Sequence, residues 1–154
     1  MAVHVLAVIM LIYIAIVDAK TMEIPDQCNV ILGIFAVISL WCNPEIGLQE
    51  RIIGAFCISV PMYILCILIE DAFGGGDIKL VFVMGFYLGW KLVLTGMFLA
   101  VLFGGMQAVY LMKRKNIKAG ENAHMAFGPA LCIGMIIALF WGNELISLYF
   151  GWFC

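Results

Sequence analysis

The sequence predicts an all-α protein, a polytopic membrane bundle of about six transmembrane helices, and three observations carry this prediction. Hydrophobic residues make up 66% of the 154 residues and charged residues only 12%, whereas soluble domains average about 45–50% and about 25%. A soluble fold of this size could not bury so much apolar surface. The apolar residues also fall into runs of near-spanning length, and the segments between the runs are short. We therefore expect residues 1–154 to form a single membrane-embedded domain.

The apolar runs should be helices, because backbone polar groups inside hydrocarbon must find partners within their own segment. The first run lacks a basic leader region and is followed by Asp18 rather than by a small-residue cleavage site, so we interpret it as a retained helix. The six predicted spans are Met1–Val17, Cys28–Cys42, Ile52–Ile69, Ile78–Trp90, Leu92–Met112 and Met125–Phe140, the last of which can be extended to Phe150.

The basic residues predict the orientation of the bundle, because cytoplasmic loops carry an excess of lysine and arginine. If the N-terminus faces outside, Arg51 and Lys91 lie on the outer side, and we expect a multi-pass protein with both termini outside. No basic block indicates binding to nucleic acid. The six basic residues on the cytoplasmic side are then Lys20, Lys79, Lys113, Arg114, Lys115 and Lys118.

Two acids stand at span boundaries: Asp18 ends the first span, and Asp77 opens the fourth after the glycines at 74–76. Such an acid either marks a solvated helix end or faces a water-filled cavity. The glycines favour a cavity at Asp77, because they remove every Cβ that would block a close approach and are a poor start for an ordinary helix. Asp77 is also well placed as the N-cap of the fourth helix. The sequence does not decide between these two roles.

The short fourth span adds a second observation. Ile78–Trp90 would form about 20 Å of helix, whereas the hydrocarbon core is about 30 Å thick. If Trp90 sits at the outer interface, Asp77 lies below the inner surface in a wet pocket. Two carboxylates that meet there share a proton, so one can act as general base on a water while the other polarises a peptide carbonyl.

This chemistry requires neither a metal nor another cofactor, and the sequence offers no alternative catalytic set. His4 and His124 are too isolated for a metal site, and no serine occupies a nucleophile elbow. The six cysteines include no C-x-x-C pair, so they indicate neither a zinc site nor a redox motif. Two other functions stay open from the residues alone: a small transporter that uses Asp18 and Asp77 as proton or ion sites, and a non-catalytic membrane scaffold.

Three segments resemble motifs of one known family, the prepilin peptidases, which are the type IV leader peptidases among the GxGD aspartyl proteases. The resemblance covers most of the chain in family order. The segments are Asp18 with Ile24-Pro25-Asp26, then Gly74-Gly75-Gly76-Asp77-Ile78-Lys79-Leu80 continuing through Gly85–Trp90, and finally Ala126-Phe127-Gly128-Pro129-Ala130.

The resemblance implies that Asp18 and Asp77 are the catalytic pair. It also implies that the backbone of Gly74, Gly75 and Gly76 lets substrate approach, and Asp71 falls where relatives often have an acid. The implied reaction removes a short basic leader from a prepilin or pseudopilin at the cytoplasmic face of the inner (plasma) membrane, after a glycine that precedes the apolar pilin helix. Acids at 23, 26, 70 and 71 either attract that leader or are simply solvated.

The chain departs from the longer members of the family, which add a large cytoplasmic loop with paired cysteines and also methylate the new N-terminus. That loop is missing, so the chain resembles the short form, and methyltransferase activity is not expected.

Two smaller features complete the predictions. Lys79 does not share a helix face with Asp77 and should snorkel to the headgroups. Gly85-x-x-x-Gly89 allows close helix packing but by itself indicates no dimer, so no oligomeric state is predicted.

Overall fold

The computed structural model describes residues 2–69, 73–115 and 126–153, and these residues form an all-α bundle, which confirms the predicted fold class. The helices present in these ranges are α1 (Ala2–Thr21), α2 (Asp26–Cys42), α3 (Leu48–Leu68), α4 (Gly75–Leu88), α5 (Trp90–Lys115) and α6 (Gly128–Phe153).

Four stretches of these helices are long and apolar enough to cross a membrane: Val3–Thr21, Leu48–Leu68, Trp90–Leu111 and Gly128–Tyr149. Helices α2 and α4 are apolar but shorter, with 17 and 14 residues, or about 26 Å and about 21 Å of helix. The outer surface of the bundle is covered with large apolar side chains such as Ile9, Val30 and Phe98. A surface of this kind suits lipid rather than water, and the chain is an integral membrane protein.

The helix ends differ from the predicted spans in a way that matters for the acids. Helix α1 continues past Val17 to Thr21, and α4 begins at Gly75 rather than at Ile78. An apolar run ends at its first polar residue, whereas a helix continues as long as its backbone hydrogen bonds do. As a result, Asp18 lies in the last turn of α1 and Asp77 in the first turn of α4.

Successive helices run in opposite directions, so the bundle gathers different helix ends on its two sides. Gly76 packs against Ile24, and Gly128 packs against Asp18. These contacts bring together the end of α1 and the starts of α2, α4 and α6. We call this side, formed by residues 18–26, 74–77 and 126–128, the aspartate end.

Glycines let α3 and α4 cross at backbone contact. A Cβ at Gly54 would lie 2.7 Å from the backbone nitrogen of Trp90, and one at Gly85 would lie 3.0 Å from the Cα of Ala55. Gly85 therefore serves packing within this chain. Gly89 has a different role: it ends α4 with a φ of 81°, a conformation that glycine adopts without strain. Of the two glycines in the predicted packing motif, Gly85 thus allows the helices to cross closely and Gly89 ends α4.

A fully buried arginine holds the opposite side of the bundle together. Arg51 donates hydrogen bonds to the carbonyls of Ser39 and Asn43 at 3.2 and 3.0 Å, where α2 ends. It also reaches the carbonyls of Phe86 and Tyr87, both at 3.3 Å, where α4 ends. The last carbonyls of a helix have no partner within it and favour a nearby cation. Arg51 is thus an interior residue of α3, at the end of the bundle opposite the aspartates.

Replacing Arg51 with alanine should destabilise the bundle strongly. Several buried carbonyls would lose their donor, and each unsatisfied group costs about 1–3 kcal/mol. We expect the purified Arg51→Ala variant to unfold at a temperature at least about 10 °C below the parent. The control is Lys91→Ala, which removes an exposed cation 3.5 Å from Glu50, a surface pair worth about 0–1 kcal/mol. Equal melting temperatures for the two variants, measured in the same detergent, would contradict this account.

Candidate active site

Asp18 is placed by the way α1 ends. One turn after it, Met22 takes a φ of 56°, and its N–H donates to the Asp18 carbonyl at 2.8 Å. The chain then reverses through residues 22–25 and enters α2 at Asp26. The Asp18 side chain is only 4% exposed. Gly128, at the start of α6, lies so close that a Cβ there would come within 2.7 Å of the Asp18 Cγ.

Asp77 is placed by the glycines before it. Gly74 is the N-cap residue of α4, and no side chain caps this helix. The predicted N-cap role of Asp77 is therefore wrong, because Gly75 and Gly76 already belong to the helix. Asp77 lies in the first turn of α4 and is only 7% exposed. Its Oδ2 lies 3.4 Å from the position that a Cβ at Gly74 would occupy.

The two aspartates line one cleft. Its volume is about 710 Å³, and Glu23, Asp26 and the glycines at 74–76 also line it. The carboxylates are close enough to repel each other electrostatically. The fully buried Cys132 of α6 is near enough to both carboxylates to interact with them electrostatically. The structure thus brings together the two residues that the sequence singled out, which stand 59 positions apart in the chain.

Each carboxylate keeps one oxygen without a partner. Asp18 Oδ2 and Asp77 Oδ1 are buried and receive no hydrogen bond from the residues that the structure describes. Buried polar atoms are normally hydrogen-bonded, and leaving one unsatisfied costs about 1–3 kcal/mol. Two such oxygens in one cleft are suited to bind a water molecule or the polar group of a ligand. Because two close carboxylates resist double ionisation, this pair is also suited to share a proton.

The three glycines before Asp77 have different surroundings. At Gly76 a Cβ would lie 2.8 Å from the Ile24 Cβ, so this glycine lets the α1–α2 connection pack directly on α4. Gly75 has open space over it. A role of Gly74, Gly75 and Gly76 in substrate approach stays a prediction, and Gly75 is the one with room beside it.

Asn29 is a site residue that sequence reasoning missed. It lies on α2, is 5% exposed, and donates from Nδ2 to the Gly76 carbonyl at 3.4 Å. Its Oδ1 is buried and receives no hydrogen bond within the described part of the chain. The available signal was an amide side chain within the apolar span Cys28–Cys42, since polar groups inside spans usually have a specific role.

Lys79 and Asp26 form an ion pair at the mouth of the cleft. The Lys79 Nζ lies 2.7 and 2.8 Å from the two carboxylate oxygens of Asp26. The prediction that Lys79 simply snorkels to the headgroups missed this partner. Both side chains are more than half exposed, so the pair contributes little stability. In this pair Lys79 neutralises the charge of Asp26, which is one of the acids considered as attractors of a basic leader.

The other residues named from the sequence do not share one location. Glu23 is exposed and lines the cleft. Asp71 and the acid at 70 lie outside the described residues, as does His124. His4 joins a hydrogen-bonded network: its Nδ1 pairs with the Tyr87 hydroxyl at 2.6 Å and its Nε2 with the Asn43 amide at 3.2 Å. This network lies at the opposite end of the bundle from the aspartates.

Comparison with known proteins agrees with the resemblance in the motifs. Residues 5–109 match the model of the type IV leader peptidase family, and this range contains both aspartates. Similar curated proteins carry the name prepilin leader peptidase/N-methyltransferase. The one from Bacillus subtilis is 27% identical over 140 residues, which is 91% of this chain and 56% of the relative.

Two further relatives carry the same name. The protein from Legionella pneumophila is 26% identical over 152 residues, covering 96% of this chain and 52% of its own length. The protein from Pseudomonas putida is 33% identical over 78 residues, covering 51% of this chain and 26% of its own length. The chain therefore spans about half the length of the relatives from Bacillus subtilis and Legionella pneumophila. No solved structure matches the chain.

Proposed function

Because the chain belongs to the type IV leader peptidase family, we propose that it is an aspartic endopeptidase that removes the leader from prepilin-like or pseudopilin substrates. The observation that carries this proposal is the pair of buried carboxylates in one cleft, each with an oxygen that has no partner among the described residues. The proposal covers the peptidase reaction only, in one membrane-embedded peptidase domain made of residues 1–154.

In the proposed reaction the pair of Asp18 and Asp77 holds one proton. The ionised carboxylate takes a proton from a water molecule in the cleft, and the water oxygen attacks the scissile carbonyl. The protonated carboxyl donates a hydrogen bond to that carbonyl and stabilises the charge that develops on its oxygen. The tetrahedral intermediate collapses when the nitrogen of the leaving segment receives a proton from the pair. The products are a leader with a new carboxylate and a pilin with a free amine.

The surroundings of the pair support a peptide substrate with a basic leader. Gly75 offers open backbone beside the cleft, where an extended chain can approach closely. Glu23 supplies negative charge at the mouth, and Asp71 is proposed to add to it. We propose the orientation with the N-terminus outside, so that the cleft opens to the cytoplasm. Because α4 is about 21 Å long, Asp77 would then lie beneath the inner membrane surface.

The two alternative functions have less support. Coupling sites of transporters lie near the bilayer midplane, whereas both aspartates lie at one end of the bundle. A scaffold would have no use for two buried carboxylates with unpaired oxygens, because this arrangement costs stability.

A cleavage assay with oxygen labelling tests the proposed reaction. The chain, reconstituted in vesicles, is mixed with a synthetic prepilin that has a basic leader, a glycine and a 20-residue apolar helix. We expect one cut after the glycine. In water enriched in ¹⁸O the new leader carboxylate should gain one labelled oxygen, and added hydroxylamine should give no leader hydroxamate, because no acyl-enzyme forms. A hydroxamate product would contradict direct attack by water, and absence of any cut would contradict the peptidase.

A further inference from the structure

A second cavity opens on the side of the bundle, and the mechanism above does not use it. It is a groove of about 630 Å³ between α2 and α3, with α4 as its floor. Apolar side chains such as Val30, Phe56 and Val60 form its walls, and they are substantially exposed. We call it the α2–α3 groove. It lies on the outer surface of the bundle, where a membrane protein meets lipid or another helix.

The groove continues from the catalytic cleft. Asp26 lines both cavities. Asn29 lines the groove, and its amide is bonded to the carbonyl of Gly76, which lines the cleft. From Asp26 the groove runs along α2 to Gly33, a distance of about 10 Å. The cleft and the groove therefore adjoin at the start of α2, where Asp26 and Asn29 contact α4.

We propose that the α2–α3 groove binds the first turns of the apolar substrate helix, directly after the bond that is cut. This inference rests on the proposed function and adds a binding site to it. The substrate would lie with its leader at the mouth of the cleft, its scissile bond at the aspartates and its helix along α2. The site is a specificity determinant, because it recognises an apolar helix joined to the scissile bond.

Asn29 is the reason to prefer a peptide helix to a lipid chain as the occupant. Its Oδ1 is buried and unpaired among the described residues, so it needs an N–H or O–H donor. A lipid acyl chain has no such donor. The first N–H groups of a helix, in contrast, have no acceptor within that helix. A substrate helix that begins at the scissile bond would place those N–H groups near the junction of cleft and groove, where Asn29 lies.

Gly33 gives the groove its depth and offers a sharp test. A Cβ at Gly33 would meet nothing within 4 Å, so a large side chain there fills the groove without disturbing the fold. We expect Gly33→Trp to raise KM for the synthetic prepilin at least tenfold. The penalty should shrink to less than threefold for a substrate whose apolar helix is cut back to a few residues. The matched control is Gly105→Trp on α5, where the position is exposed and equally open; it should cleave like the parent.

Photo-crosslinking tests the site independently of turnover. A benzophenone amino acid at Val60 in the groove should capture the synthetic prepilin in vesicles, whereas one at Val101 on the outer face of α5 should not. Capture of lipid alone at Val60, or equal capture of substrate at both positions, would overturn the proposal. Equal KM values for Gly33→Trp and Gly105→Trp would also overturn it while leaving the peptidase proposal intact. If the parent cuts no prepilin, the peptidase proposal fails and the crosslinks alone decide whether the groove binds the helix.

Discussion

Asp18→Asn and Asp77→Asn should each lower the rate of prepilin cleavage by about 10³-fold or more, since general acid–base catalysis contributes about 10²–10⁴-fold and the two carboxylates act as a unit. An amide cannot take a proton from water, and it cannot supply one to the leaving nitrogen. The double variant should be scarcely slower than either single variant. The measurement is the initial rate of leader release by vesicles that contain equal amounts of folded protein.

The same two variants should fold at least as stably as the parent, which separates a catalytic role from a structural one. Each substitution removes one of two buried, mutually repelling carboxylates, and breaking such a catalytic arrangement commonly gains stability. Melting temperatures in detergent should therefore stay level or rise. Glu144→Gln is the control, because it removes an exposed acid on α6. It should leave both the rate and the melting temperature unchanged.

Two results would count against this assignment. Cleavage within threefold of the parent in either aspartate variant would show that the pair does not carry the reaction. A large fall in melting temperature, with lost activity, would instead indicate that the carboxylates mainly hold the helices together.

Gly128→Ala should be the second most damaging change to activity. The new Cβ would overlap the Asp18 carboxylate and lie 2.7 Å from its Cγ, so the side chain must move. A misplacement of about 1 Å in a catalytic group can cost about 10²-fold in rate. We expect kcat to fall by that factor with little change in KM, because the contacts that bind the leader and the apolar helix remain.

Gly151→Ala is the matched control for this change. It lies on the same helix, and a Cβ there meets nothing within 4 Å. The two alanines add the same methyl group to α6, so any general effect on helix stability should appear in both. Equal kcat values for Gly128→Ala and Gly151→Ala would show that the contact with Asp18 does not govern its position.

Much of this protein could be predicted because the relevant signals are local in the chain. Lipid requires long apolar helices, so the runs of apolar residues alone indicate an all-α bundle. Acids are costly in such runs, so Asp18 and Asp77 stood out as candidates before any contact was known. The positions of the helix ends were less predictable. The N-cap prediction for Asp77 failed because the start of α4 depends on backbone hydrogen bonds that glycines can also make.

The residues that were missed act through partners distant in the chain. Asn29 is bonded to the Gly76 carbonyl, and Arg51 reaches the carbonyls of Phe86 and Tyr87. Gly54 faces Gly85 across a helix crossing. A single asparagine, arginine or glycine in an apolar run has many possible partners, and a local pattern does not select among them.

The sequence by itself determined that this protein lies in a lipid membrane, that it is all-helical, and which two acids are candidates for the site. Each of these follows from composition and short-range spacing. The tertiary structure decided that these acids share a cleft, that Gly128 packs against Asp18 and Gly76 against Ile24, and that an apolar groove adjoins the cleft at Asp26. The reason is physical: closeness between side chains 59 positions apart depends on how helices cross, and helix crossings are set by packing over the whole bundle.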